Sequence, residues 1–244
     1  MSISISAIVP FHNEELTLEE SVRKLITNNI FNNIILVDDY SKDRSSEIAL
    51  KITNEYNFVE YIRLDKNYGK GHAVKKGVSN IKSSHIVVHD ADLEYDPVDI
   101  SEMFEVAKSS PTSLILGSRT IGSKTRRNKY KKTYYGNKIL TYLFSLLNFH
   151  RVSDIASCYW IIETELIKKF DLKEKGFGIE VEVLSKFLKL NREIIEIPIS
   201  YFGRSYEEGK KIMLSDGLNI AYKIVKYSKF LGIFNILNIF KQQN

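Results

Sequence analysis

Short apolar runs rich in β-branched residues occupy 4–9, 33–37, 59–64, 85–89 and 113–116 in the first half of the chain. Between them, over 14–26, 45–56, 71–80 and 98–108, apolar residues recur at three- and four-residue intervals. The first pattern predicts buried strands and the second predicts amphipathic helices. Their alternation at this spacing predicts an α/β fold with a mostly parallel central sheet flanked by helices. Ligands of such sheets bind beyond the carboxyl ends of the strands. Those ends carry Pro10-Phe11-His12-Asn13-Glu14, Asp38-Asp39 and Asp90-Ala91-Asp92-Leu93-Glu94.

The second half is less regular. The pattern predicts an apolar helix over 134–149, a buried strand over 158–162, a helix over 179–190 and a strand over 194–199. A polar, charge-rich loop over 201–211 follows. A last amphipathic helix over 215–240 places Ile220, Ile224, Leu231, Phe234 and Leu237 near one face. The 43% apolar content supplies a sizeable core, and neither a repeat nor a low-complexity linker interrupts it. We therefore expect one α/β domain over 1–214 and a C-terminal amphipathic helix over 215–244 that contacts a membrane or a protein partner.

Charge adds a local feature to this picture. Basic residues outnumber acidic ones by only 35 to 30, yet 106–153 holds no acidic residue. Within it Lys124, Arg126, Arg127, Lys129, Lys131, Lys132 and Lys138 crowd together. Such a block is either a solvated loop or a site for phosphates, nucleic acid or anionic lipid. Nothing outside it resembles a nucleic-acid motif, so nucleic acid is not expected as a partner. The first residues lack the basic start and long apolar stretch of a secretory leader. The single cysteine, Cys158, has no partner for an internal disulfide and reads as a buried structural thiol. No run reaches the roughly 18 consecutive apolar residues of a membrane span. The expected location is cytoplasmic, with any membrane contact peripheral and at the inner face.

The carboxylates suggest the chemistry. In an extended chain Asp90 and Asp92 point to the same side while Ala91 faces the other, and Glu94 continues the alternation. Two hard oxygen ligands at one point suit Mg²⁺ or Mn²⁺ bridging a diphosphate, with capping of the next helix as the plain structural alternative. One of Asp38 and Asp39 must face the ligand crevice, where a carboxylate takes a base, a ribose or a turn. Asn67-Tyr68-Gly69-Lys70-Gly71 is a flexible basic loop entering a helix, suited to close approach to a nucleotide. The absence of a dinucleotide fingerprint after the first strand and of a P-loop argues against dehydrogenases and phosphate-loop NTPases.

In order and spacing, 9–14, 37–43, 67–77 and 89–92 together resemble the inverting family 2 glycosyltransferases. Gly117-Ser118-Arg119, 154–159, and 201–211 with Arg204 and Lys210 resemble the polyprenyl-phosphate sugar synthase branch of that family, the dolichyl-phosphate mannose synthase-like enzymes. The resemblance implies a GT-A type nucleotide-diphospho-sugar transferase fold. It implies that Pro10, His12, Glu14, Val37, Asp39, Lys70, Asp90 and Ala91 surround the nucleotide. Asp90, Asp92 and Glu94 would hold the metal, Mg²⁺ or Mn²⁺. Arg119, Lys132, Arg204 and Lys210 would meet the donor diphosphate and the acceptor phosphate, with Asp92, Arg119 and Arg204 in the catalytic role.

His12 stands where tyrosine is common, Tyr40 where a small residue is usual, Glu94 where glutamine is common, and Trp160 where a basic residue often follows. The base therefore stays open between a UDP-glucose and a GDP-mannose type of donor. The implied activity is inverting transfer from a nucleotide sugar to a polyprenyl phosphate. A saccharide hydroxyl in polysaccharide or lipopolysaccharide synthesis is the rival acceptor, and it would require Asp154 or Glu180 as a base. A non-catalytic nucleotide- or nucleic-acid-binding module is the reading from another class. The basic block beside the apolar 134–149 helix favours a membrane surface, and 230–240 is a candidate contact for a membrane-protein partner.

Overall fold

The computed structural model describes residues 3–127, 130–204 and 214–232. In chain order it builds β1 (Ile5–Phe11), α1 (Leu18–Thr27), β2 (Phe31–Asp38), α2 (Ser45–Glu55), β3 (Val59–Arg63), α3 (Lys70–Asn80), β4 (His85–Val88) and α4 (Val98–Ser109). There follow β5 (Leu114–Ser118), β6 (Arg126–Arg127), α5 (Lys131–Asn148), β7 (Trp160–Glu163), α6 (Thr164–Lys169), α7 (Ile179–Leu188), β8 (Ile194–Pro198), β9 (Tyr201–Phe202) and α8 (Leu214–Tyr227). Seven strands form one sheet in the order β3-β2-β1-β4-β7-β5-β8. Only β7 runs antiparallel to its neighbours, so the expected mostly parallel sheet is present. Pro10 pairs with Val37 and Phe11 with Asp38, which brings the carboxyl ends of β1 and β2 level.

The period-two pattern of the strands explains the layers. On one face Ile8, Ile35, Val37, Ile86, Val88, Leu114, Leu116, Trp160 and Ile162 join a core with α3, α5, α7 and α8. Their sequence neighbours Ala7, Val9, Ile34, Leu36, Val87, Ile115 and Ile161 join the opposite core with α1, α2 and α4. The inner strands β1, β2, β4, β5 and β7 are thus buried on both sides, as their continuous apolar runs require. Gly77 lets α3 lie directly on β1, since a Cβ there would stand 2.5 Å from Ile8 Cγ2. Trp160 is core packing, and Cys158 is a free buried thiol, as expected.

Three details depart from the sequence reading. The helix expected from residue 14 starts only at Leu18, because Asn13 takes φ 52° and Glu14 to Thr17 form a turn. The short elements α6, β6 and β9 carry too little periodicity to be read. The single helix expected over 215–240 ends instead at Tyr227, and Ser228 starts a new turn by accepting from the Leu231 amide at 3.1 Å. Ile220 and Ile224, from the stripe expected to meet a membrane or partner, pack on the core. The exposed apolar residues of α8 are Leu218, Tyr222 and Val225 on its other side. Phe234 and Leu237, and most of 230–240, lie outside the described residues. No described helix is long and apolar enough to cross a membrane.

Candidate active site

At the end of β2 two adjacent aspartates take different jobs. Asp38, fully buried, accepts from the Ser41 amide at 2.7 Å, Ser46 Oγ at 2.6 Å and the Tyr61 hydroxyl at 3.0 Å. It is a fold residue. Asp39 accepts from the amides of Tyr68 at 2.8 Å and Gly69 at 2.7 Å, so it organises the 67–71 loop from the crevice side. Gly69 takes φ 95°, and a Cβ there would stand 2.6 Å from the carbonyl oxygen of Lys175. Only glycine meets both conditions, which is why the loop can wedge between Asp39 and the 174–176 backbone. His12 Nδ1 lies 2.9 Å from the Asp39 carbonyl oxygen. Pro10 and Val37, paired near the ends of β1 and β2, and Ala91 are all buried.

The Asp90–Asp92 pair is present, but extended-strand alternation does not produce it. β4 ends at Val88, 91–94 is a turn and bend, and Leu93 takes φ 60°. Lys70, the first residue of α3, places its ammonium 2.8 and 2.9 Å from the two Asp90 oxygens and 2.9 Å from Glu180 Oε1. Arg204 bridges Asp92 and Glu14 at 3.1 Å each. Glu94 does not converge as a third ligand: its carboxylate accepts from the Tyr201 hydroxyl at 2.7 Å and the Arg204 amide at 2.8 Å. Asp92 Oδ1 accepts from the Glu94 amide, which tightens the turn.

Electrostatics follow from this crowding. Burial, with Asp90 and Glu94 close by, pushes the Asp92 carboxyl up to about 7 against the pull of Arg204. Burial opposes the charge on Lys70, but Asp90 and Glu180 hold its ammonium well above the usual range. His89, which precedes the pair, is buried between Ser21 Oγ and the Tyr159 hydroxyl, and burial lowers it to about 4. It is therefore a neutral core histidine.

The donor chemistry of the site fits a hard divalent cation. Asp90 and Asp92 offer oxygen ligands whose mutual repulsion a cation relieves. No group of three His, Cys, Asp or Glu able to hold a metal occurs among the described residues. A cation held by this pair would take its remaining ligands from water and phosphate oxygens, the usual arrangement for Mg²⁺ at a diphosphate.

Beyond β5 lies a buried latch. Arg119 Nε and Nη2 donate to the two Asp154 oxygens at 2.6 and 2.8 Å, and Nη1 donates to the Tyr95 hydroxyl at 3.1 Å. Asp154 also accepts from the Arg119 amide and from Asn137 Nδ2 of α5. Burial works against both charges, yet each holds the other: Arg119 is raised well above its ordinary value and Asp154 is lowered. The guanidinium carbon lies 4.8 Å from the Tyr201 ring centre. Arg119 is thus mainly engaged by the protein, with only part of its guanidinium left for a ligand. Arg126 Nη1 donates to the Arg119 carbonyl at 2.6 Å and stacks on Tyr134 of α5, 4.5 Å from the ring centre. β6 and β9 pair beside it, Arg126 with Tyr201, and Phe202 donates its amide to the Glu94 carbonyl. These contacts close the second half of the chain over the Asp90–Asp92 turn.

α5 has two faces. Phe144, Thr141 and Asn148 are buried, whereas Tyr135, Ile139, Tyr142 and Leu146, with Phe149 just past its end, are exposed. They recur at helical spacing and make an apolar stripe on the acid-free segment. Lys138 stands over the Tyr134 ring at 4.8 Å. Lys210 and the Lys132 side chain lie outside the described residues. The site therefore gathers Glu14, Asp39, Lys70, Asp90, Asp92 and Arg204, with Arg119 adjoining. Tyr201, Tyr95 and the restraining role of Glu180 were not evident in the sequence, because they are distant in the chain and belong to no local pattern.

The family model of glycosyl transferase family 2 matches residues 6–170. A dolichol-phosphate mannosyltransferase from Pyrococcus furiosus is 28% identical over 233 residues, covering 92% of this chain and 64% of that protein. The chain thus spans just under two thirds of that relative's length. A dolichyl-phosphate β-glucosyltransferase from Trichomonas vaginalis is 22% identical over 244 residues, covering 94% of this chain and 74% of that protein. Among solved structures, glucosyl-3-phosphoglycerate synthase from Mycobacterium tuberculosis, in complex with Mn²⁺, UDP and phosphoglyceric acid, shares the fold. The TM-score is 0.73 at 15% identity, covering 92% of this chain and 78% of that one.

Proposed function

The chain belongs to glycosyl transferase family 2, and from that premise we propose that it transfers a hexosyl group, with inversion, from a nucleotide sugar to a polyprenyl phosphate at a membrane surface. The GT-A fold and the two dolichyl-phosphate relatives support the donor and acceptor classes. The observation that carries the acceptor is the condition of the two candidate bases. Asp154 is fully buried, lowered by Arg119 and hydrogen-bonded on both oxygens. Glu180 is paired with Lys70 at 2.9 Å. Neither is placed to take a proton from a sugar hydroxyl. A phosphate acceptor is already an anionic nucleophile and requires positioning and charge neutralisation instead.

In this reading the crevice between β1 and β2 takes the nucleoside, with Asp39 holding the 67–71 loop in place. Asp90 and Asp92 would hold a divalent cation, which would supply charge stabilisation to the departing diphosphate. Lys70 and Arg204 add positive charge on either side of the pair, favouring a transition state in which negative charge grows on the leaving oxygen. The Arg119–Asp154 latch shapes the acceptor side. The stripe of α5, with the basic residues near its start, meets the acyl boundary and the anionic head groups.

An acceptor comparison tests this reading. The protein is given a nucleotide sugar with a polyprenyl phosphate, the same polyprenol without its phosphate, or soluble saccharides. Turnover on the phosphate alone is expected. Faster turnover on saccharides, with a pH profile reporting one essential base, would replace it with the glycan-extending reading.

A further inference from the structure

Asp90 and Asp92 are each already paired with a cation of the protein, and in the same way. Lys70 lies between Asp90 and Glu180, and Arg204 lies between Asp92 and Glu14. Each cation thus touches one carboxylate of the pair and one behind it. Lys70 and Glu180 are both largely buried, with 13% and 8% of their side chains exposed. The backbone around Lys70 is fixed as well. Gly69 and Gly71 abut the backbone of 174–175, and the His72 amide donates to the Lys175 carbonyl at 3.1 Å.

We propose that Lys70, anchored by Glu180, is a positioning residue that competes with a divalent cation for Asp90 until a nucleoside diphosphate accepts its ammonium. This rests on the donor reading above. A dication that takes the Asp90 oxygens meets an ammonium less than 3 Å from both, and like charges at that range oppose each other strongly in a buried site. Lys70 is largely buried, and Glu180 at 2.9 Å is the other partner within its reach. A diphosphate changes the balance, because its oxygens take both the dication and the ammonium. Cation and nucleotide then bind as a coupled pair, and each raises the affinity of the other by the same factor. Glu180 sets the size of this effect by sharing the ammonium. Without it, Lys70 pairs with Asp90 alone and competes harder.

The two residues therefore have opposite signatures, which a purely structural role would not give. Mn²⁺ binding to the full chain is measured by electron paramagnetic resonance, with and without UDP or GDP, for wild type, Lys70→Met and Glu180→Gln. Lys70→Met is expected to bind Mn²⁺ alone at least about fivefold more tightly and to lose most of the enhancement by nucleotide. Glu180→Gln is expected to bind Mn²⁺ alone about fivefold more weakly and to recover with nucleotide. Unchanged or weaker binding of Mn²⁺ alone by Lys70→Met overturns the proposal, as does unchanged or tighter binding by Glu180→Gln, which decides the matter if Lys70→Met does not fold. Wild type binding Mn²⁺ equally with and without nucleotide overturns this inference and leaves the donor reading standing. No Mn²⁺ binding even with either nucleotide removes the donor reading, and this inference with it.

Discussion

Changing Arg119 and Asp154 together should destabilise the protein by less than the sum of the two single changes. The pair makes two side-chain hydrogen bonds of 2.6 and 2.8 Å, with Asp154 fully buried and Arg119 only 10% exposed. Asp154→Asn removes the charge and one of the two acceptor oxygens opposite the buried guanidinium, leaving it an amide oxygen and the Tyr95 hydroxyl. Arg119→Met leaves a buried carboxylate with Asn137 and the backbone amides of Arg119 and Ala156. Stranding one partner of a buried pair costs about 3–5 kcal/mol. In a chain of this size that corresponds to a fall in Tm of roughly 6–20 °C. The double variant removes both charges, so its cost should fall short of the sum by about 1–3 kcal/mol. Equilibrium urea unfolding of the four proteins at pH 7, with slopes compared, measures the difference. Additivity to within about 0.5 kcal/mol would refute the account of these residues as a coupled latch.

The two faces of α5 should separate in experiment: Phe144→Ala should cost about 3–5 kcal/mol, checked by urea unfolding. Ile139→Ser with Tyr142→Ser should each change stability by no more than about 0.5 kcal/mol while reducing co-flotation with anionic vesicles. Gly69→Ala forces a Cβ against Lys175 at φ 95° and should lower nucleotide affinity, read by calorimetry, while leaving far-UV circular dichroism unchanged. Burial opposes the charge on Glu174, but Lys223, Tyr227 and Lys226 hold it down at about 2, against an ordinary value of 4.5. Because the folded value is depressed, this stabilisation is present above the unfolded value and lost as pH falls from about 4.5 towards 2. Thermal melts should therefore show wild type losing its advantage over Glu174→Gln across that window.

The first half of the fold was legible because each strand is a short apolar run rich in β-branched residues and each helix repeats at its own period, so both element type and order follow from local pattern. The Asp90–Asp92 pair was found for a partly wrong reason. The pattern required an extended strand, whereas β4 ends at Val88 and both carboxylates stand beyond its end, close enough for Asp90 to act on Asp92. Glu94 looked like a third ligand by the same alternation, and the turn sends it to Tyr201 instead. The faces of α8 were not legible, since Ile220 and Ile224 form one apolar stripe and Leu218, Tyr222 and Val225 another. Periodicity cannot say which stripe the core takes. The pairing of Lys70 with Glu180 joins residues on α3 and α7, a contact that exists only once the sheet is assembled.

A donor screen tests the central claim most directly. Purified protein with Mn²⁺ or Mg²⁺, a panel of UDP- and GDP-sugars and a short-chain polyprenyl phosphate is followed by mass analysis of the lipid. The account predicts a polyprenyl phosphate heavier by one hexosyl group, formed from one donor and lost in Asp92→Asn. An unmodified lipid with every donor, while the same preparation extends saccharides, would contradict it.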